Sequence, residues 1–266
     1  MDVERYLARV GLAPGDVRPF DADALARLQT AHVTAVPFET LAITGDPHGE
    51  RGGGGVSLAP ADCYAKVVAR RRGGFCYELN GAFGPLLDAL GVDVTRVAAR
   101  VVDDGELTPP ASHMAHVAAL DREYVVDVGL GVPTMRRPTP LDGRVVTDAA
   151  GVDWRAVESD RPDADHCVQL RDPDEEDWRD RYIFTRAGRA TDYFAATCDH
   201  LTTAPESGFT GDPTVSIATE RGHKWLGDGT LTEQRRGETV REESVNPAEW
   251  TAVLESEFGV RWPPEG

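Results

Sequence analysis

The 266-residue chain is long enough for one large domain or two small ones, with a buried core that needs neither disulfides nor a structural metal. Hydrophobic residues make up 41% and charged residues 27%, which excludes a disordered or collagen-like polymer, and no apolar run approaches the ~18 residues of a membrane-spanning helix. A formal charge of −17 repels nucleic acid and anionic membrane, so neither is an expected partner.

Val3, Tyr6, Leu7 and Val10 share one face of a first helix, capped by Asp2 and ended by Gly11. A second begins at Asp21, carries Leu25, Leu28 and His32 on its stripe, and ends before Pro37, because the residue before a proline avoids the helical region. Arg51–Gly55 is a loop. Tyr64, Val67 and Val68 mark a third helix that stops at Gly73-Gly74, and Phe75, Leu79, Phe83, Leu86 and Leu90 line a fourth that ends at Gly91. The hydrophobic period then changes to that of strands: Val94–Val102, Ala115–Leu120 and Tyr124–Val128 are rich in β-branched residues. Residues 132–198 mix acidic loops with short apolar pieces such as Tyr182-Ile183-Phe184. The tail returns to strands and closes with a helix whose N-cap is Asn246, with Pro247 at N1, Glu249 completing a capping box, and Trp250, Val253, Leu254 and Phe258 on its apolar face. This order predicts an α+β fold.

The four cysteines, Cys63, Cys76, Cys167 and Cys198, form no CxxC pair, which argues against a zinc ribbon and a disulfide scaffold. The neighbours His166–Cys167 and Cys198–His200 lack a second pair, so no metal is expected. Met1 to Arg5 show no secretory leader pattern, and the expected location is cytoplasmic. Only two of the 28 cationic residues are lysines, Lys66 and Lys224, a composition that suits solvation at high salt.

Chemistry concentrates in Arg71-Arg72-Gly73-Gly74-Phe75-Cys76-Tyr77-Glu78-Leu79-Asn80. Two glycines allow a sharp turn into a helix whose first turn holds Cys76, where unpaired N–H groups favour an anion; with Arg71 and Arg72 nearby, the thiol pKa is expected to fall. A small buried structural cysteine is the alternative. Two histidines could serve as its base, His113 and His116, which face opposite sides of a strand and cannot share one site. Asp127, a carboxylate within an aliphatic strand, calls for a histidine partner. A two-residue turn at Asp121-Arg122 would set it opposite His116.

The segment Arg72-Gly73-Gly74-Phe75-Cys76-Tyr77-Glu78-Leu79-Asn80 closely resembles the RGGxCxELN signature of the arylamine N-acetyltransferases. Tyr6 to Gly11 is similar to the family's YLxRIG, Val36-Pro37-Phe38-Glu39 to its VPFEN, Ser112-His113 with Asp127-Val128-Gly129-Leu130-Gly131 to its TH…DVGFG, and Pro205 to Phe209 to its HPxSxF. Thr40 and Leu130 depart from the family's usual Asn and Phe. The resemblance implies an N-terminal helical bundle (1–92), a central β-barrel (93–198) and a C-terminal α/β lid (199–266), with a cysteine-protease-like Cys-His-Asp arrangement. It assigns Cys76, His113 rather than His116, and Asp127 as the triad, and places Phe75, Gly129, Leu130, Gly131 and Phe209 at the substrate. It further implies an acetyl-CoA-dependent acetyltransferase acting on an arylamine or hydrazine by a ping-pong route through acetyl-cysteine. Alternatives are an amide synthase or thiol hydrolase on the same fold, or a non-catalytic binding protein.

Overall fold

Short polar side chains start the first two helices. Asp2 and Asp21 each accept a backbone N–H three residues on, from Arg5 and Ala24, and so open α1 (Val3–Arg9) and α2 (Ala22–Ala35). The computed structural model describes residues 1–48, 52–227 and 229–262; Arg51 of the expected loop lies outside them, and residues 52–55 carry no regular structure. Beyond α2 come β1 (Phe38–Glu39), the short α3 (Leu41–Thr44), and α4 (Pro60–Tyr64), which runs on as a π turn (Ala65–Ala69). The fourth expected helix is α5 (Cys76–Ala89), which is buried along most of its length. Tyr6, Leu7, Leu25, Leu28, Val67, Leu79, Phe83 and Leu86 from these helices form one core.

The central region contains β2 (Asp93–Asp103), β3 (Glu106–Leu107), β4 (His113–Ala119), β5 (Glu123–Val126), β6 (Thr139–Pro140), β7 (Val146–Thr147), β8 (Asp153–Glu158), β9 (His166–Arg171) and β10 (Arg179–Gly188). They pair antiparallel in the order β6-β5-β4-β2-β10-β9-β8-β7, with β3 on β2; β6 also lies against β8, so the sheet curls into a near-closed barrel. Its inside holds Val97, Ala115, Val117, Trp154, Val168 and Tyr182. The chain continues through α6 (Ala195–Thr203) into β11 (Val215–Ala218), β12 (Gly222–Gly227), β13 (Thr230–Arg235) and β14 (Glu238–Ser244), and then α7 (Trp250–Phe258). β1 joins the edge of this second sheet by pairing with β11, so a segment of the helical third belongs to the C-terminal sheet.

Two local expectations are corrected. Strands β4 and β5 pair Ala119 with Glu123 and His116 with Val126, so residues 120–122 form a three-residue connection in place of the two-residue turn. Each pairing is thereby displaced by one residue, and a one-residue slip exchanges faces. At the other end, α7 begins at Trp250 rather than at Pro247. Asn246 accepts N–H groups from both Ala248 (3.1 Å, side chain) and Glu249 (2.8 Å, carbonyl), which closes a turn before the helix instead of capping it.

Candidate active site

The turn into α5 is held from two sides. Glu39 N donates to the Gly74 carbonyl (3.0 Å) and Gly74 N to the Pro37 carbonyl (3.2 Å), so β1 clamps the loop before Cys76. A Cβ on Gly73 would sit 2.3 Å from the Pro37 oxygen, a distance no side chain tolerates, which makes glycine the residue that permits the clamp. Glu78 accepts from Phe75 N (2.9 Å) and from Lys66 (2.6 Å), while Glu39 accepts from Arg72 (2.6 Å) and from Leu41 N (2.7 Å). Burial alone would raise Glu39, but Lys66 and Arg72 together hold it below the usual carboxylate range; for Glu78 burial outweighs Lys66 and the group is raised.

This network spends the charges expected to act on the thiol. Arg72 is buried against Glu39, and Arg71 is exposed. Burial pushes the Cys76 thiol up, and Cys198, Asp127 and Glu78 add to the rise, against a pull from the Tyr77 N–H. Burial at this helix start thus works against the expected depression of its pKa, and the Arg72 charge expected to help is spent on Glu39.

The slipped register places Asp127, just past β5, on the same face as Ala115 and His113. His113 Nε2 and Asp127 Oδ2 lie 2.6 Å apart, both side chains buried. Asp127 Oδ1 accepts from Asn80 Nδ2 (2.9 Å) and Gly129 N (2.9 Å), and Asn80 in turn donates to the Met114 carbonyl and accepts from Val128 N. Burial would raise Asp127, yet the His113, Asn80 and Gly129 contacts more than offset it and hold the carboxyl below its ordinary value. Asn80 thus ties helix α5 to both β4 and the segment after β5, a role that the motif contained but that its spacing did not disclose. Gly129 packs so closely on α5 that a Cβ there would lie 2.7 Å from the Cys76 carbonyl oxygen.

His116 faces the other way. Both its ring nitrogens are buried without a hydrogen-bond partner, burial pushes its pKa down to about 3, and a Cβ on Gly84 of α5 would sit 2.2 Å from its Nε2.

Cys76 and His113 line one cavity of about 720 Å³, together with Phe38, Gly129, Leu130, Gly131 and Phe209. Phe75 does not line it; fully buried, it supports the wall from behind, edge-on to Phe209 at 4.7 Å between ring centres and near Phe38 at 5.9 Å. Arg181, His200, His223 and Trp225 also reach the cavity; His200 drew notice only as a neighbour of Cys198, and the other three belong to no local pattern. Thr40 is buried beside β1, accepting from Thr214 N (2.9 Å) and so fastening the C-terminal sheet to the clamp. All four cysteines are free, and among the described residues no cluster of three His, Cys, Asp or Glu side chains could hold a metal ion. No helix among them is long and apolar enough to cross a membrane.

A family model described as N-acetyltransferase matches residues 21–263, which places the chain among the acyltransferases. Over 267 residues it is 32% identical to the arylamine N-acetyltransferase of Mycolicibacterium smegmatis, covering 98% of this chain and 92% of that protein. The arylamine N-acetyltransferase of Mycobacterium marinum, solved in complex with CoA, superposes with a TM-score of 0.82 at 28% identity, covering 97% of this chain and 93% of the other. That of Bacillus cereus, described as having a Cys-His-Glu catalytic triad, shares the fold at a TM-score of 0.85 and 24% identity, over 98% and 99% of the two chains. The chain belongs to the arylamine N-acetyltransferase family.

Proposed function

We propose that this protein moves an acetyl group from acetyl-CoA to an arylamine or hydrazine through an acetyl-cysteine on Cys76, in two half-reactions. The observation that carries the reading is the buried His113–Asp127 pair opening onto the same cavity as Cys76. Asp127 engages Nε2, which leaves Nδ1 of His113 as the ring nitrogen available to the thiol. His113 takes the Sγ proton, and the Cys76 sulfur attacks the thioester carbonyl. The tetrahedral intermediate expels the CoA thiolate, which takes that proton back, and acetyl-Cys76 remains. The amine then attacks the acetyl carbon and gives its proton to His113, which returns it to the departing Cys76 sulfur. The Cys76 and Tyr77 amides, in the first turn of α5 where no intrahelical carbonyl accepts them, are the oxyanion donors of this scheme.

Phe38 and Phe209 offer ring faces to a planar amine, backed by Phe75. Leu130 lines the same cavity, so Leu130→Phe should alter relative kcat/KM among arylamines of different size while leaving acetylation by acetyl-CoA nearly unchanged. The chain is also 34% identical over 161 residues, 60% of its length, to a relative named as a synthase, proansamycin X synthase of Amycolatopsis mediterranei, and the second reading is an amide synthase on the same fold. Intact mass after incubation with acetyl-CoA, followed by a panel of amines, tests the assignment. One acetyl group on wild type, none on Cys76→Ser, and discharge by arylamines support acetyl transfer; stable acetyl-Cys76 that no amine discharges contradicts it.

A further inference from the structure

A second cavity, of about 440 Å³, opens on the His116 face of β4, where Gly84 and Asp88 of α5 meet Arg96, His116 and Arg189. Backbone pairing sets its three basic side chains side by side. Arg96 and His116 are direct partners across β2 and β4, so both project from one face of the sheet with Cβ atoms about 5 Å apart. Arg189, the residue after β10, donates its N–H to the Arg96 carbonyl (2.9 Å), and Arg96 Nη1 donates back to the Arg189 carbonyl (3.3 Å). The Arg189 guanidinium lies over the Tyr193 ring at 4.5 Å.

None of the three is paired with an acid. The fold gives its fully buried arginines carboxylate partners, Arg72 with Glu39 and Arg136 with Asp148. Arg96 and Arg189 are half-buried and form no ion pair among the described residues, and the Nε of each is buried without an acceptor. His116 is 1% exposed with neither ring nitrogen bonded, and even its neutral ring has one N–H to give. Asp88, exposed at the edge, pairs with neither arginine, so the cavity sets two guanidinium charges against one carboxylate. Buried donors left unanswered cost free energy that a ligand carrying acceptors would recover.

We propose that this cavity binds a small tetrahedral oxyanion, phosphate or sulfate, either free or as the end group of an ester. Arg96 and Arg189 supply the charge, and His116 donates from the closed side. Donors from three residues suit the several oxygens of such an anion better than the two of a carboxylate. Bound there, the anion would tie β2, β4 and the end of β10 to α5, the helix that begins at Cys76. The site is separate from the cavity of Cys76 and His113 and does not depend on which reaction Cys76 performs.

The test is a titration of the whole chain with inorganic phosphate, followed by melting temperature and by calorimetric binding, with KCl adjusted to hold ionic strength constant. That constancy removes the general screening to which a charge of −17 responds. Phosphate should raise the melting temperature saturably, by about 2–4 °C at about 20-fold over its Kd. Arg96→Gln and Arg189→Gln should each weaken binding at least about tenfold, Arg96→Lys less, and His116→Leu about fivefold. Asp88→Asn, at an exposed position, should instead tighten it about threefold. Glycerol 3-phosphate identifies the source: tighter binding than phosphate assigns an ester, weaker binding a free ion. A melting temperature that phosphate does not move, or binding unchanged in both arginine variants, overturns the proposal. Phosphate binding that CoA displaces places the anion in the catalytic cavity and overturns it as well.

Discussion

Strand β4 carries two histidines three residues apart, and its two faces treat them differently. On the barrel face His113 meets Asp127 at 2.6 Å, and that carboxylate is itself held by Asn80 and Gly129. On the helix face His116 packs against α5 at Gly84, with neither ring nitrogen bonded. Burial is nearly complete in both cases, at 2% and 1% exposure, so burial does not distinguish them. Partners do. A buried imidazole with a carboxylate on one nitrogen and the Cys76 cavity beside it can pass a proton on; one buried without any hydrogen-bond partner, near the Arg96 cation, is held neutral.

The largest expected effect comes from removing the partnered ring. His113→Ala should lower kcat/KM for arylamine acetylation by about 10²–10⁴-fold. Asn80→Ala should cost about tenfold, because one donor to Asp127 is lost. The acid limb of its pH–rate profile should move to higher pH, since a carboxylate with fewer donors is protonated more readily. Gly84→Ala attacks the other face. The added methyl must displace His116, so calorimetry should show a loss of about 1–3 kcal/mol despite the better helix propensity of alanine.

A pH titration of stability sharpens the contrast. His116 is neutral in the fold with its pKa near 3, while the unfolded chain takes up a proton below about 6.5. Its contribution is therefore fully present above about pH 6.5 and falls as the pH drops toward 3, at up to about 1.4 kcal/mol per pH unit. His116→Leu should make the acid slope of denaturant stability shallower by that amount; an unchanged slope would mean that the ring is charged or solvated. The smallest differential effect is that of salt. With a net charge of −17, stability should rise between about 0.05 and 1 M KCl, where the screening length shrinks to about 3 Å, and it should rise alike in variants of either face.

Much of this arrangement was legible in the sequence. The double glycine before a helix start located Cys76, and strand periodicity placed the two histidines on opposite faces. What was hidden depends on the third dimension. Turn length could not be read from Asp121-Arg122, and one additional residue in that connection moves Asp127 from the His116 face to the His113 face. Arg72 looks adjacent to Cys76 in sequence but is paired with Glu39 from β1, a partner the local motif does not reveal. The onset of α7 slipped from Pro247 to Trp250 because Asn246 closes a turn of its own. Arg181 was invisible, since a bulge leaves no mark on the alternation of a half-polar strand.

In the mechanism proposed, the His113–Asp127 pair, and not His116, activates Cys76. Single-turnover acetylation by acetyl-CoA, followed by intact mass in wild type, His113→Ala and His116→Leu, measures it directly. His113→Ala should acetylate at least about 100-fold more slowly while His116→Leu stays within about threefold of wild type. Rapid acetylation of His113→Ala together with its loss in His116→Leu would contradict it.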